Sequence, residues 1–169
     1  IDEVKSLIYY LDILYRNVYE DINEELRKED LIDKNIIRFG TWVGGDRDGN
    51  PNVNNKITEE SLKIYSNQII GIYKEKIIKL SDEFSISNKY TDIPKGLNDR
   101  INEYSKILKK EHSHYSLINF DEPFRIFLSL IFHRLDNFQN TASGYKSFTE
   151  FKKDIELFNK SVSECFKHK

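Results

Sequence analysis

Residues 36–52 have the sequence IIRFGTWVGGDRDGNPN, and they interrupt a chain that otherwise shows helical periodicity. The part over residues 35–43 is rich in β-branched and aromatic side chains, which favour a strand. It ends at Gly44 and Gly45, where the densest group of turn-forming and charged residues in the chain begins. We therefore predict a short buried strand that leads directly into a loop at 44–52.

Glycine and proline are expected to give this loop a defined shape. Gly44, Gly45 and Gly49 allow positive φ angles or a close approach of the backbone to a ligand. Pro51 stiffens the exit from the loop and biases Asn50 towards an extended backbone. The sequence therefore predicts one fixed conformation.

The charge in the loop is centred on Arg47, which lies between Asp46 and Asp48. Two flanking carboxylates can fix the guanidinium by charge-assisted hydrogen bonds and leave its other donors for an anionic substrate or a catalytic carboxylate. A solvated turn, in which the charges only keep the loop soluble, is the alternative that stays open. A calcium loop fits worse, because the sixth and twelfth positions of the EF-hand pattern lack the required glycine and glutamate.

Outside residues 36–52, apolar side chains recur every three or four positions, as in amphipathic helices. The predicted helices span residues 4–26, 58–80, 94–108, 123–135 and 148–166. Thr58 and Asp121 are candidate N-caps, and Pro123 suits a first helical turn. Residues 81–92 are predicted to form an exposed linker. The predicted fold class is mostly α, with about five helices and one short strand.

Composition argues against several classes of function. The net charge is -2 with 32% charged residues, so no strongly basic face is expected to attract nucleic acid or anionic lipid. The apolar runs are far shorter than the ~20 residues of a membrane span, and no signal-peptide pattern opens the chain. Cys165 is a lone cysteine, and His112 and His114 lie among polar residues, so no metal site is predicted from them. A cytoplasmic protein fits these properties.

Two features suggest that residues 1–169 are one segment of a longer protein. The chain starts at Ile1 and contains no methionine. A single strand also leaves its backbone edges unpaired unless another part of the protein supplies a partner. We therefore expect a piece of a larger barrel or sheet protein.

The loop region resembles the signature of a known enzyme family. Residues 39–53, FGTWVGGDRDGNPNV, are similar to the F-x-S-W-M-G-G-D-R-D-G-N-P-x-V string of phosphoenolpyruvate carboxylases, with Val43 in place of the usual methionine. Residues 122–125, EPFR, resemble the family's E-P-Y-R segment. Residues 132–135, FHRL, resemble its later R-x-R-L segment, with Phe132 in place of the first arginine.

The resemblance implies the chemistry of that family. Phosphoenolpyruvate and bicarbonate react with Mg²⁺ present to give oxaloacetate and phosphate, on the loops of a helix-rich, TIM-like barrel. By this resemblance the candidate catalytic residues are Asp46, Arg47 and Asp48, and the candidate substrate-loop residues are Gly44, Gly45, Gly49 and Asn50.

The resemblance also limits what this chain is expected to do alone. The family's T-A-H-P-T-E motif, which carries the catalytic histidine, and its G-R-G-G-S phosphate loop do not occur here, and its metal ligands are expected outside this chain. We expect a segment that is inactive alone, from a cytoplasmic, allosterically regulated homotetramer. The alternative is a stand-alone helical interaction module that has the loop without its chemistry.

Overall fold

The computed structural model describes residues 1–29, 31, 37–48, 50–139 and 142–166. These residues are mostly helical, as the periodicity predicts, and the chain divides into two compact units, Ile1–Ile69 and Ile70–Lys169. The α-helices are α1 (Asp2–Leu14), α2 (Glu20–Lys28), α3 (Asn55–Glu83), α4 (Lys95–Ile107), α5 (Lys109–Ile118), α6 (Pro123–Asp136) and α7 (Phe148–Phe166). Within the described ranges, none of these helices combines the length and the apolar character that a membrane span requires.

The helix predicted over residues 4–26 is confirmed with one irregularity. A π-helical segment, Tyr15–Tyr19, joins α1 to α2 without a break. The predicted buried stripe is fully buried only at Val4, whereas Leu14 and Val18 are 43% and 45% exposed. The described part of the chain therefore covers this stripe incompletely.

The strand predicted at residues 35–43 is not found among the described residues. Residues 37–42 have irregular backbone, and residues 43–45 form a turn. A strand needs a neighbour to satisfy its backbone groups, and the described ranges contain no strand that could serve as one. Residues 35 and 36 lie outside the described residues.

The long helix α3 begins earlier than its predicted cap, Thr58. The residue that caps it is Asn54, whose Oδ1 accepts a hydrogen bond from the backbone N–H of Ile57 at 3.1 Å. This bond satisfies one of the N–H groups that a first helical turn leaves free. Thr58 instead donates its hydroxyl to the Asn54 carbonyl at 3.2 Å.

The exposed linker predicted at residues 81–92 is wrong in two respects. Its first residues belong to α3, which runs to Glu83. Its later part is held to the start of α6, since the backbone N–H of Asn88 donates to the Asp121 carbonyl at 2.8 Å. The predicted N-cap of α6, Asp121, is also wrong, because Glu122 occupies that position, without a side-chain capping bond.

The core of the second unit is formed mainly by α4, α6 and α7, with apolar residues from the end of α3. The helix α6 is the most completely buried, and Phe124, Phe127 and Leu128 on it are 0% exposed. The sequence does not predict α5, which follows a break at Leu108. No residue of α5 is buried, and its apolar Leu117 is 80% exposed, so the apolar pattern gives no signal for this helix.

Candidate functional site

The segment that follows Trp42 is folded into a series of tight turns. The backbone N–H groups of Gly45 and Asp46 both donate to the Trp42 carbonyl, at 2.9 and 3.0 Å. The Asp46 carboxylate accepts from the N–H of Asp48 at 3.1 Å, and a second turn of this kind begins at Asn50. In such turns the side chain takes the place of a backbone carbonyl. The described part of the loop is therefore folded into turns, and the single fixed conformation of the whole loop stays a prediction.

Gly44 is the position in the loop where glycine is required. Its φ angle is +79°, in the region that side chains other than glycine rarely adopt. A Cβ atom at Gly44 would also lie 2.2 Å from Ser61 Oγ and 3.3 Å from Val4 Cγ2. Ser61 is 2% exposed and its hydroxyl donates to the Ile57 carbonyl at 2.7 Å, so it has little freedom to move away.

The other two glycines of the loop contribute differently. Gly45 has room for a side chain, because a Cβ atom there would be an ordinary 3.6 Å from the Trp42 carbonyl oxygen. Gly49 lies outside the described residues, so its part in the substrate loop stays a prediction.

Three residues on α3, Thr58, Ser61 and Tyr65, provide the surface on which the loop lies. Their spacing of three and four places them on one face of the helix. Tyr65 donates its hydroxyl to the Val43 carbonyl at 2.9 Å, and Thr58 accepts from Nη2 of Arg47 at 3.5 Å. The sequence alone does not identify these residues, because helical spacing marks a face without showing what packs on it.

Arg47 is exposed, and the neighbouring carboxylates do not brace it as predicted. Thr58 is its hydrogen-bond partner in the described part of the chain, where neither Asp46 nor Asp48 forms an ion pair with it. The bracing prediction is wrong because the Asp46 carboxylate is turned towards the backbone N–H of Asp48. The guanidinium consequently keeps most of its donors for a negatively charged group.

Metal binding has no support in the described ranges, which bring together no cluster of three or more histidine, cysteine, aspartate or glutamate side chains able to hold an ion. His112 and His114 lie on α5, where residues two apart point in different directions. His112 is placed beside Ser116, with Oγ and Nε2 3.3 Å apart.

A second polar cluster lies in the core of the second unit, and the sequence pattern does not predict it. Asp154 on α7 accepts hydrogen bonds from the hydroxyls of Tyr104 and Tyr145, each at 2.5 Å, and from Nη1 of Arg100 at 2.7 Å. Arg134 lies against both tyrosine rings, 4.4 Å from each centroid. Burial raises the pKa of the Asp154 carboxyl above its usual value, against the hydrogen bonds from the tyrosines, which lower it.

This cluster is a structural element. Asp154 and Tyr145 are 0% exposed, so a substrate has no access to them. Arg134, on α6, belongs to the segment at 132–135 that resembles R-x-R-L, and it contacts Tyr104 on α4, Glu150 on α7 and Tyr145 in the connection between α6 and α7. Its guanidinium joins the connection between α6 and α7 to the core, since Nη2 donates to the Gly144 carbonyl at 3.4 Å.

The segment at 122–125 also stabilises the packing of helices. Nη1 of Arg125 donates to the Glu122 carboxylate at 2.8 Å. Nε of Arg125 donates to the Ser81 carbonyl at 3.0 Å, which ties the start of α6 to the last turns of α3. Both secondary motifs therefore act within the second unit, and the exposed cation of the candidate site is Arg47.

Comparison with known proteins identifies relatives of the whole chain. The family model described as phosphoenolpyruvate carboxylase matches residues 3–166. The chain is 25% identical over 167 residues to a phosphoenolpyruvate carboxylase of Thermosynechococcus vestitus, covering 94% of this chain and 16% of that protein. It is 28% identical over 169 residues to that of Xanthomonas euvesicatoria, covering 95% and 19%. It is 26% identical over 184 residues to phosphoenolpyruvate carboxylase 1 of Zea mays, covering 93% and 19%.

No solved structure matches this chain. The chain spans less than a fifth of the length of the three relatives above. The matched residues include the glycine-rich loop and the two helical motifs. The family resemblance inferred from these short segments is therefore confirmed, and it extends over nearly all of the sequence. The chain belongs to the phosphoenolpyruvate carboxylase family.

Proposed function

We propose that this chain is a segment of a longer phosphoenolpyruvate carboxylase, and that its loop at 44–52 borders the site where phosphoenolpyruvate is carboxylated. The observation that carries the proposal is the state of Arg47, an exposed guanidinium on a loop that is fixed to α3. No carboxylate in the described ranges neutralises its charge through an ion pair. The loop therefore presents a positive group from a backbone that is held on α3.

Fixed positive charge suits this reaction because its substrates and intermediates are anions. Bicarbonate and phosphoenolpyruvate are joined through carboxyphosphate and an enolate, and both intermediates carry negative charge. A guanidinium that is already in place stabilises such charge without reorganisation during the reaction. Its paired, planar donors also match the oxygen atoms of phosphate and carboxylate groups. We assign Arg47 to bind one of these groups on the substrate.

The two aspartates of the loop take different parts in this proposal. Asp46 shapes the turn, since its carboxylate accepts from the N–H of Asp48. Asp48 is exposed at the same turn and remains the candidate carboxylate at the rim of the site. Gly44 and Asn50 keep the backbone in the shape that carries both groups.

The remaining machinery is assigned to other parts of the parent enzyme. We place the Mg²⁺ ion on residues outside this chain, as the family resemblance implies, and derive no step through it. The catalytic histidine and the phosphate loop are assigned outside this chain as well. The family resemblance further suggests a cytoplasmic, TIM-like barrel enzyme that assembles as a homotetramer.

A stand-alone interaction module is the second candidate. Exposed apolar side chains favour it, among them Trp42 at 76% and Tyr9 at 64% exposure, because such surface marks contact with another polypeptide. The remainder of a carboxylase would fill the same role. The flanking gene sequence separates the two, since a histidine motif and a glycine-rich motif on either side support the carboxylase, whereas start and stop codons around residues 1–169 support the module.

The substitution Arg47→Ala in the full-length carboxylase tests the role of the loop. We expect kcat/KM for phosphoenolpyruvate to fall at least about tenfold, because a hydrogen-bonded charge contributes roughly 1.5–3 kcal/mol, while the melting temperature stays unchanged. Arg27→Ala, at an exposed arginine on α2, is the matched control and should retain activity. Unchanged turnover with a lowered melting temperature would reject the proposed role and leave Arg47 as a structural residue.

A further inference from the structure

We infer that Tyr65 is a positioning residue of this enzyme, whose hydroxyl fixes the start of the turn to α3 and thereby orients Arg47 for the substrate. The inference rests on the proposed function of the loop at 44–52. It adds a residue from the middle of a long helix, outside the signature that the loop carries.

The contact joins two parts of the chain that are distant in sequence. The Tyr65 hydroxyl donates to the Val43 carbonyl at 2.9 Å, across 22 positions of sequence. The neighbouring carbonyl, that of Trp42, is occupied by the N–H groups of Gly45 and Asp46 within the turn. Two consecutive carbonyls are therefore satisfied in different ways, one by the turn itself and the next by α3. Tyr65 consequently fixes where the turn begins on the helix.

The position of Arg47 depends on this anchor because its own bond to α3 is weak. Nη2 of Arg47 lies 3.5 Å from Thr58 Oγ1, at the limit of hydrogen-bond distance. Between Val43 and Arg47 the chain passes Gly44, which lies against the buried Ser61 with no room for a Cβ atom. A small shift of Val43 on α3 would therefore move Gly44 against Ser61 or carry Arg47 away from its place.

The tyrosine hydroxyl is separable from the rest of the side chain. Tyr65 is half-buried on α3, so the ring can pack against its neighbours with or without the oxygen atom. Tyr65→Phe keeps the ring and removes the bond to Val43. Tyr90→Phe removes a hydroxyl from a side chain that is 86% exposed, and it serves as the matched control.

The first test is a kinetic double-mutant cycle in the full-length carboxylase. Tyr65→Phe should lower kcat/KM for phosphoenolpyruvate about three- to tenfold, mainly by raising KM, and Tyr90→Phe should leave it unchanged. In the Arg47→Ala background, Tyr65→Phe should change kcat/KM less than about twofold, because two residues that act through one contact are not additive.

The second test does not depend on catalysis. Amide hydrogen exchange of residues 43–48, measured by mass spectrometry on the full-length protein, should become several-fold faster in Tyr65→Phe and stay unchanged in Tyr90→Phe. An unchanged exchange rate in Tyr65→Phe would overturn the inference.

The kinetic outcomes separate this inference from the proposed function. If Tyr65→Phe lowers kcat/KM by the same factor with and without Arg47→Ala, Tyr65 does not act through Arg47, and the inference is overturned while the proposed function stands. If Arg47→Ala leaves kcat/KM unchanged, the proposed function of the loop is overturned, and the inference with it.

Discussion

Asp154→Ala removes the acceptor at the centre of the buried polar cluster in the second unit. Asp154 is 0% exposed and accepts from Tyr104, Tyr145 and Arg100. The substitution leaves the two tyrosine hydroxyls buried without this acceptor. The three helices that meet at the cluster, α4, α6 and α7, should then be held together less firmly.

The expected loss follows from the three donors. A buried hydroxyl left without a partner costs roughly 1–3 kcal/mol, so the two tyrosines together account for about 2–6 kcal/mol. Arg100 adds little, because its side chain is 31% exposed and water can replace the carboxylate. Removing the carboxylate also relieves the desolvation that raises its pKa, which offsets part of the loss. We therefore expect about 3 kcal/mol less stability.

Urea unfolding of the chain, followed by far-ultraviolet circular dichroism, measures this loss. Asp99→Ala removes an exposed aspartate from α4 and is the control, with an expected change below about 0.5 kcal/mol. The assignment of Asp154 as the centre of the buried polar cluster would be refuted if Asp154→Ala lowered the free energy of unfolding by less than about 1 kcal/mol, with the slope of that free energy against urea concentration unchanged.

Two further predictions concern pH and the loop. Burial and the charge of Asp154 raise the pKa of Tyr104 and Tyr145 above the usual 10.0. Both hydroxyls are therefore fully neutral in the folded and unfolded states below about pH 10, where their contribution to the free energy of unfolding is complete. As the pH rises further, the free energy of unfolding should fall by about 1.4 kcal/mol per pH unit for each tyrosine. Urea unfolding between pH 8 and 11.5 checks this, and a slope in Tyr145→Phe as steep as in the wild type would contradict it. Gly44→Ala should destabilise the first unit by roughly 2–4 kcal/mol in thermal unfolding, because of its positive φ and the contact with Ser61. Adding Ser61→Gly should restore part of that loss, and a Gly44→Ala protein as stable as the wild type would show that the loop can adopt another shape.

The parts of the fold that sequence predicts are those with local causes. Apolar spacing predicts α4, α6 and α7, because each buries a continuous face in the core of the second unit. The sequence predicts positive φ angles or a close backbone approach for Gly44, Gly45 and Gly49 alike, and the structure shows a positive φ angle at Gly44. The signature loop predicts the family because its string of residues is specific.

The parts that sequence does not predict depend on contacts between distant residues. Asp154 follows two lysines in α7 and looks like an exposed position, and nothing near it indicates that its partner Tyr104 is 50 positions away. The β-branched run before Gly44 favours a strand, but strand formation depends on a partner that the described residues do not supply. Carboxylate bracing of Arg47 is equally plausible from sequence, and only the turn geometry shows that Asp46 bonds to the backbone.

The place of the loop in the active site is tested most directly by steady-state kinetics on the full-length carboxylase with Arg47 replaced by lysine and by alanine. Lysine keeps the positive charge but lacks the paired donors of arginine. We therefore expect kcat/KM for phosphoenolpyruvate to be highest for arginine, intermediate for lysine and lowest for alanine. The three proteins should have equal melting temperatures. Equal kcat/KM for all three proteins would contradict an active-site role for this loop.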